Sequence, residues 1–160
     1  MAEKEIRSVL VPMQGLEILL PNASVAEIIA YATPEALPDT PNWLLGNLLW
    51  QGWKVPVISL AMMLGKTQYE GRTGARICIT KSLIGNPRMP YLGLLTQGFP
   101  RLITITEANL TEVGEPDLPA VLAGRALIGD RDVMVPDLDT LAEAVARRAH
   151  PAAVTDTPRG

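Results

Sequence analysis

Apolar residues fall in short runs along this chain, not in long stripes. Residues 7–11 and 16–20 are rich in Val, Leu and Ile and flank Met13-Gln14-Gly15, which predicts two strands joined by a tight turn. Residues 54–60, with Val55, Val57 and Ile58, read as a further strand, and so do residues 75–80, 90–97, 102–106 and 133–135. Leu94, Leu95, Ile103 and Ile105 are the core donors among these, with Gly85-Asn86 and Gly98 as turns. Ser24-Val25-Ala26-Glu27 has the spacing of a helix capping box, but β-branched Val25, Ile28 and Ile29 predict a single turn running into a strand.

Between these runs the breakers are clear. Pro34, Pro38 and Pro41 make residues 33–42 an irregular loop. Residues 65–74 carry Lys66, Glu70 and Arg72 among small and polar neighbours, the pattern of a solvent loop between halves or at a barrel rim. One helix is predicted: Asp137 caps it, Leu138, Leu141, Ala142 and Val145 share a face, and Glu143 pairs with Arg147 outside. Many short strands without strand–helix alternation indicate an all-β barrel architecture.

Sliding the chain along itself exposes a repeat. Pro38-Asp39-Thr40-Pro41, Leu44, Gly46, Val55, Val57 and Leu60 match Pro116-Asp117-Leu118-Pro119, Leu122, Gly124, Val133, Val135 and Leu138, always 78 residues apart. Two copies are too few for a solenoid and suit two related β subdomains. The expected organisation is a disordered start at 1–5, one domain of two such subdomains over 6–148 and a flexible tail at 149–160.

Composition narrows the function. The net charge of −3 gives no electrostatic reason to bind nucleic acid, while 48% hydrophobic residues exclude disorder and leave apolar surface to spare, as in an interaction protein. The start lacks the features of a signal peptide and the apolar stretch at 9–20 is too interrupted to span a bilayer, so a cytoplasmic chain without membrane insertion is expected.

Catalytic chemistry finds little support. The one histidine, His150, lies in a Pro-rich tail, and Cys78 sits in an apolar run as a small hydrophobe. Gly65-Lys66-Thr67 lacks the earlier glycine of a phosphate loop, since Leu60 stands there. Asp130, Asp132, Asp137 and Asp139 lack the pattern of a calcium loop and read as turn and cap residues. No enzyme, metal or cofactor is expected. Trp43, Trp50 and Trp53 crowd one segment, and at least one of them is expected at the surface as an interface anchor.

The segment from Pro38 to Leu60 resembles the signature of CheW-like chemotaxis coupling domains through Gly46, Gly52, Pro56, Val57, Ile58 and Leu60. The likeness continues in Val25-Ala26-Glu27-Ile28, in the residues from Gly93 to Gly98 and in Leu122-Ala123-Gly124, and so spans about residues 6–145. It implies two SH3-like β-barrels packed on a shared core, with a short C-terminal helix. It also implies a non-catalytic adaptor that holds the regulatory domain of a chemotaxis histidine kinase on one surface and a chemoreceptor cytoplasmic tip in a groove.

The chain departs from that family at polar positions, with Leu49, Gln51, Ser59 and Gln97 where the family carries Asn, Arg, Asp and Asp. Glu27 is retained, and in this reading it faces Gln51 through a hydrogen bond that is weaker and fixes geometry less tightly than a bidentate ion pair. The partner-binding residues implied are Val25, Glu27, Gly46, Leu49, Gln51, Gly52, Gln97, Gly98 and Gly124. The neutral substitutions suggest a divergent coupler, of a system controlling type IV pilus twitching. The alternative is a small-ligand sensor that binds between the two barrels.

Overall fold

The opening hairpin pairs with the far end of the chain. Strand β1 (Ile6–Met13) turns at Gln14-Gly15 into β2 (Leu16–Pro21), and β1 then pairs antiparallel with β8 (Arg101–Ile105), Ile6 opposite Ile105. On its other side β2 runs parallel to β11 (Arg131–Pro136), which pairs with β10 (Leu122–Ile128) and through it with β9 (Leu110–Val113). The order of this first sheet is β8-β1-β2-β11-β10-β9.

The computed structural model describes residues 4–82 and 89–149, so the expected turn at Gly85-Asn86, the start at 1–3 and the tail from His150 lie outside the described residues.

A second sheet uses the intervening chain. A 3-10 turn at Asn22–Ser24 leads into β3 (Val25–Ala30), followed by β4 (Leu44–Trp50), β5 (Trp53–Ile58), the short helix α1 (Leu60–Met63), β6 (Arg76–Lys81) and β7 (Tyr91–Thr96). Their order is β3-β6-β7-β5-β4. The two subdomains are therefore not the two halves of the sequence, since the first takes strands from both ends. Helix α2 (Leu138–Ala149) follows β11.

Three apolar layers hold the molecule together. Val9, Val11, Met13, Ile18 and Leu20 of the first sheet meet Leu44, Ile58, Cys78, Leu92 and Leu94 of the second, with Leu141, Ala142 and Val145 of α2 beside them. Leu10, Leu19, Ile105, Ala126 and Val133 fill the first barrel, and Val55, Val57, Ile77 and Ile79 the second. The strands at the middle of each sheet are thus buried on both faces, which is why they read as continuous apolar runs and not as alternation. Complete burial of one such Leu or Ile contributes about 2 kcal/mol.

The repeat is reproduced bond for bond. Leu44 N–H donates to Pro41 C=O at 3.1 Å and Leu122 N–H to Pro119 C=O at 3.0 Å; Ser59 N–H donates to Trp43 C=O at 2.9 Å and Asp137 N–H to Val121 C=O at 2.8 Å. Both hairpins carry a bulge at the same step, Leu44/Gly46 and Leu122/Gly124. Ser59 Oγ and Asp137 Oδ1 cap the two helices by accepting from Met62 N–H and Thr140 N–H.

Four elements go beyond the sequence reading. β4 and β10 were hidden by those bulges, which interrupt alternation, and β9 by its half-exposed, polar character. α1 is too short for periodicity to show.

Cys78 lies in the central layer, fully buried, and burial pushes its thiol up to about 12. We expect no reaction with an aromatic disulfide reagent in the native protein and one thiol per chain released to it in denaturant. Labelling at the same rate in both conditions would contradict this packing.

Candidate partner-binding surface

The β4–β5 turn carries three of the sequence-predicted residues. Gln51 and Gly52 both adopt left-handed backbone angles, φ 48° and 81°, the two-residue turn that matches the twist of a tight hairpin. Leu49 and Trp53 project from it, 75% and 47% exposed. Trp53 is the surface tryptophan expected from the sequence, while Trp43 and Trp50 are half-buried. Tyr91 of β7 supports the tip from below, its ring 4.9 Å from that of Trp50 and 5.6 Å from that of Trp53, both edge-on.

Glu27 reaches this tip by a route the sequence did not show. Its Oε1 accepts the indole Nε1–H of Trp50 at 2.8 Å, so its partner is Trp50 and not Gln51. In the hairpin Trp50 pairs with Trp53, and the turn residue Gln51 is carried out to solvent. The bond joins β3 to β4, the two edge strands of the second sheet. Glu35 adds a two-way backbone bridge to Asn47, at 2.7 and 2.9 Å. Together they close this barrel, which gives Glu27 a clasping role. Replacing Trp50 by Phe keeps an aromatic but smaller ring and removes the donor, and we expect at least about 1 kcal/mol less stability in urea denaturation, with no further loss when Glu27→Gln is added to Trp50→Phe.

The remaining candidates lie elsewhere. Val25 is half-buried against the central layer. Gly46 sits at the β4 bulge, where an added Cβ would stand 2.1 Å from the Glu35 carbonyl oxygen, so its role is close backbone approach. Gly124, its repeat mate on the first sheet, has open space above it. Gln97 and Gly98 follow β7: Gln97 N–H donates to Pro12 C=O at 2.8 Å, and its side-chain Nε2–H to Gly71 C=O at 2.8 Å. The nine residues therefore occupy several places, and only Leu49, Gln51, Gly52 and, through Trp50, Glu27 come together.

The loop at 65–74 corrects the expectation of a purely solvated segment. Glu70 is 1% exposed, its Oε1 accepting Ser59 Oγ–H at 2.5 Å and its Oε2 accepting Gln14 N–H at 3.0 Å. Gln14 Oε1 in turn accepts Gly71 N–H at 3.3 Å. A carboxylate buried without a cation is costly unless hydrogen-bonded, and here it straps the loop to both sheets.

The repeat-equivalent tip, between β10 and β11, has the opposite character. Arg125 contacts Asp132 at 2.6 Å and Glu115 at 2.7 Å, and Arg131 contacts Glu17 at 2.6 Å. Hydrogen bonding and charge from Asp132, then Glu115, raise the Arg125 guanidinium still further, while Arg125 lowers the Asp132 carboxyl. One tip is thus apolar and open, the other charged and internally paired. Among the described residues no group of His, Cys, Asp and Glu could hold a metal ion, and no helix is long and apolar enough to cross a membrane.

Residues 7–146 match the family model of the CheW-like domain, and two barrels built on one repeated hairpin are what those residues form. The chain belongs to the CheW-like domain family. The scaffolding protein TtCheW from Thermoanaerobacter tengcongensis has a similar fold, with a TM-score of 0.70 over 86% of this chain and 87% of that one, at 20% identity. No curated protein matches the chain. Within this CheW-like domain the resemblance set out above puts Asp where Ser59 stands, next to the buried Glu70 carboxylate. A second acid at that point would face the first, so the Ser59 hydroxyl and the Glu70 carboxylate form a matched pair.

Proposed function

We propose that the chain is a non-catalytic coupling adaptor, joining chemoreceptors to the regulatory domain of a histidine kinase in a chemosensory complex of the cytoplasm. The observation that carries this reading is the exposed apolar β4–β5 tip, a rigid turn at the family's signature positions that holds Leu49 and Trp53 out to solvent. Large apolar and aromatic side chains on a preorganised turn are the anchors protein interfaces use. In this reading Glu27, Leu49, Gln51 and Gly52 meet the kinase, Gln97, Gly98 and Gly124 border the surface offered to the receptor tip, and Val25 and Gly46 act from within by packing and close backbone approach. Neutral side chains at Gln51, Ser59 and Gln97 point to a divergent system, which we assign to type IV pilus twitching. The space between the sheets is filled by the central layer, which favours this reading over a ligand between the barrels.

Calorimetric titration with the kinase regulatory domain of the same organism tests it. Binding in the micromolar range is expected, weakened about tenfold or more by Leu49→Asp at an unchanged melting temperature. Absence of binding by both the wild type and a Gln51→Arg variant, or phosphotransfer by the purified chain, would overturn it. Loss of twitching with intact swimming in a deletion strain is the result expected of the pilus assignment, and the reverse would refute that part.

A further inference from the structure

Two buried side-chain polar atoms have no hydrogen-bond partner among the described residues, Tyr31 Oη and Arg76 Nε, and both fall in one cluster. Arg76 opens β6 opposite Ala30 of β3, so Tyr31 follows its strand partner directly. The turn before β6, closed by Ala75 N–H to Arg72 C=O at 3.0 Å, carries Arg72. The Arg72 guanidinium carbon lies 5.9 Å from the centre of the Tyr31 ring and 5.5 Å from that of Tyr69. Arg76 lies 4.0 Å from the centre of the Phe99 ring. Two cations therefore rest against three rings, of which Tyr69 and Phe99 are 59% and 67% exposed.

Neither arginine forms an ion pair with a described carboxylate. The acid closest to them in sequence, Glu70, is engaged beneath the loop by Ser59 and Gln14. That anchoring, with both backbone bonds of Gly71 made to Gln14 and Gln97, holds Tyr69 and Arg72 in place from the inside. The cost of ordering this rim is thus met before anything binds. Native proteins seldom leave buried donors without acceptors, and a guanidinium stacked on a ring keeps its in-plane N–H groups oriented for a carboxylate.

We propose that Tyr31, Tyr69, Arg72, Arg76 and Phe99 form a docking site for an acidic segment of a partner protein. Its carboxylates pair with the two guanidiniums and an apolar side chain enters between the rings of Tyr69 and Phe99. Phe99 stays stacked on Arg76 and holds its guanidinium toward the incoming acceptors. The site is at the opposite end of the β6–β7 pair from Tyr91 and the Trp50–Trp53 tip, so it is a separate surface and does not depend on how the tip is used.

The test uses the full chain and two synthetic helical peptides that share one Leu/Phe face, one bearing Glu and the other Gln at the flanking positions. The Arg Nε–H signals are followed by NMR. Saturable movement of the Arg72 and Arg76 signals is expected with the Glu peptide, about tenfold or more weaker with the Gln peptide, and weakening with added salt. Arg72→Gln, on an exposed turn, is expected to lower affinity for the Glu peptide to that of the Gln peptide, and it keeps the test decisive should Arg76→Gln not fold. Phe99→Ala is expected to weaken both peptides. Equal binding of the two peptides, an Arg72→Gln variant that binds as the wild type does, no movement of either signal, or a single-stranded oligonucleotide that outcompetes the Glu peptide would each overturn the proposal. Failure here leaves the kinase titration at the β4–β5 tip unaffected.

Discussion

Gly46→Ala is expected to cost at least about 3 kcal/mol, lowering the melting temperature by about 10 °C, whereas Gly124→Ala is expected to cost under about 1 kcal/mol. The two glycines are repeat mates at the same bulge, so propensity and strand position are held nearly constant. What differs is the backbone angle, left-handed only at Gly46, and the space above each residue. A methyl at Gly46 would stand 2.1 Å from the Glu35 carbonyl oxygen and 2.6 Å from its carbon, on a backbone with φ +138°, while nothing lies within 4 Å of one at Gly124. Relief requires pushing the Glu35 segment off Asn47 and opening the bridge that helps close the second barrel. Thermal and urea denaturation of the two variants side by side give the answer, and similar losses in both would show that the close approach at Gly46 does not hold the barrel shut.

The second large effect concerns the buried acid. Ser59→Asp is expected to destabilise by about 3 kcal/mol at pH 7, because it sets a carboxylate against Glu70 where neither has a cation. Combining it with Glu70→Gln should recover most of the loss, leaving an acid that still caps α1 and accepts from an amide. No recovery in the double variant would remove Glu70 as the cause.

These two residues also show what was legible in the chain. The opening hairpin and β5 to β7 could be read because strands buried on both faces leave unbroken apolar runs, β3, β8 and β11 from aliphatic and β-branched residues between breakers, and the last helix from its spaced apolar face. β4 and β10 could not, since a bulge shifts the inward face by one position partway along. At the candidate surface Leu49, Gln51 and Gly52 were readable from the signature, but the partner of Glu27 was not. A one-residue difference in turn register decides whether Trp50 or Gln51 faces β3, and that register depends on the left-handed backbone at Gln51. Glu70 looked solvated because its burial is created by Ser59 and Gln14, residues distant in sequence and brought in by different sheets. The Arg72–Tyr31 and Arg76–Phe99 contacts were hidden for the same reason.

The path of the chain through the two sheets carries a consequence for synthesis on the ribosome. The second sheet draws only on residues between Val25 and Thr96 and can assemble as soon as that stretch has emerged. The first hairpin can lay one face on that sheet, but it has no strand neighbours until β8 and then β11 arrive, so its other face, with Leu10 and Leu19, stays open until they do. The nascent chain thus has a finished barrel beside an unfinished one, and the central layer that joins them is sealed last, by α2.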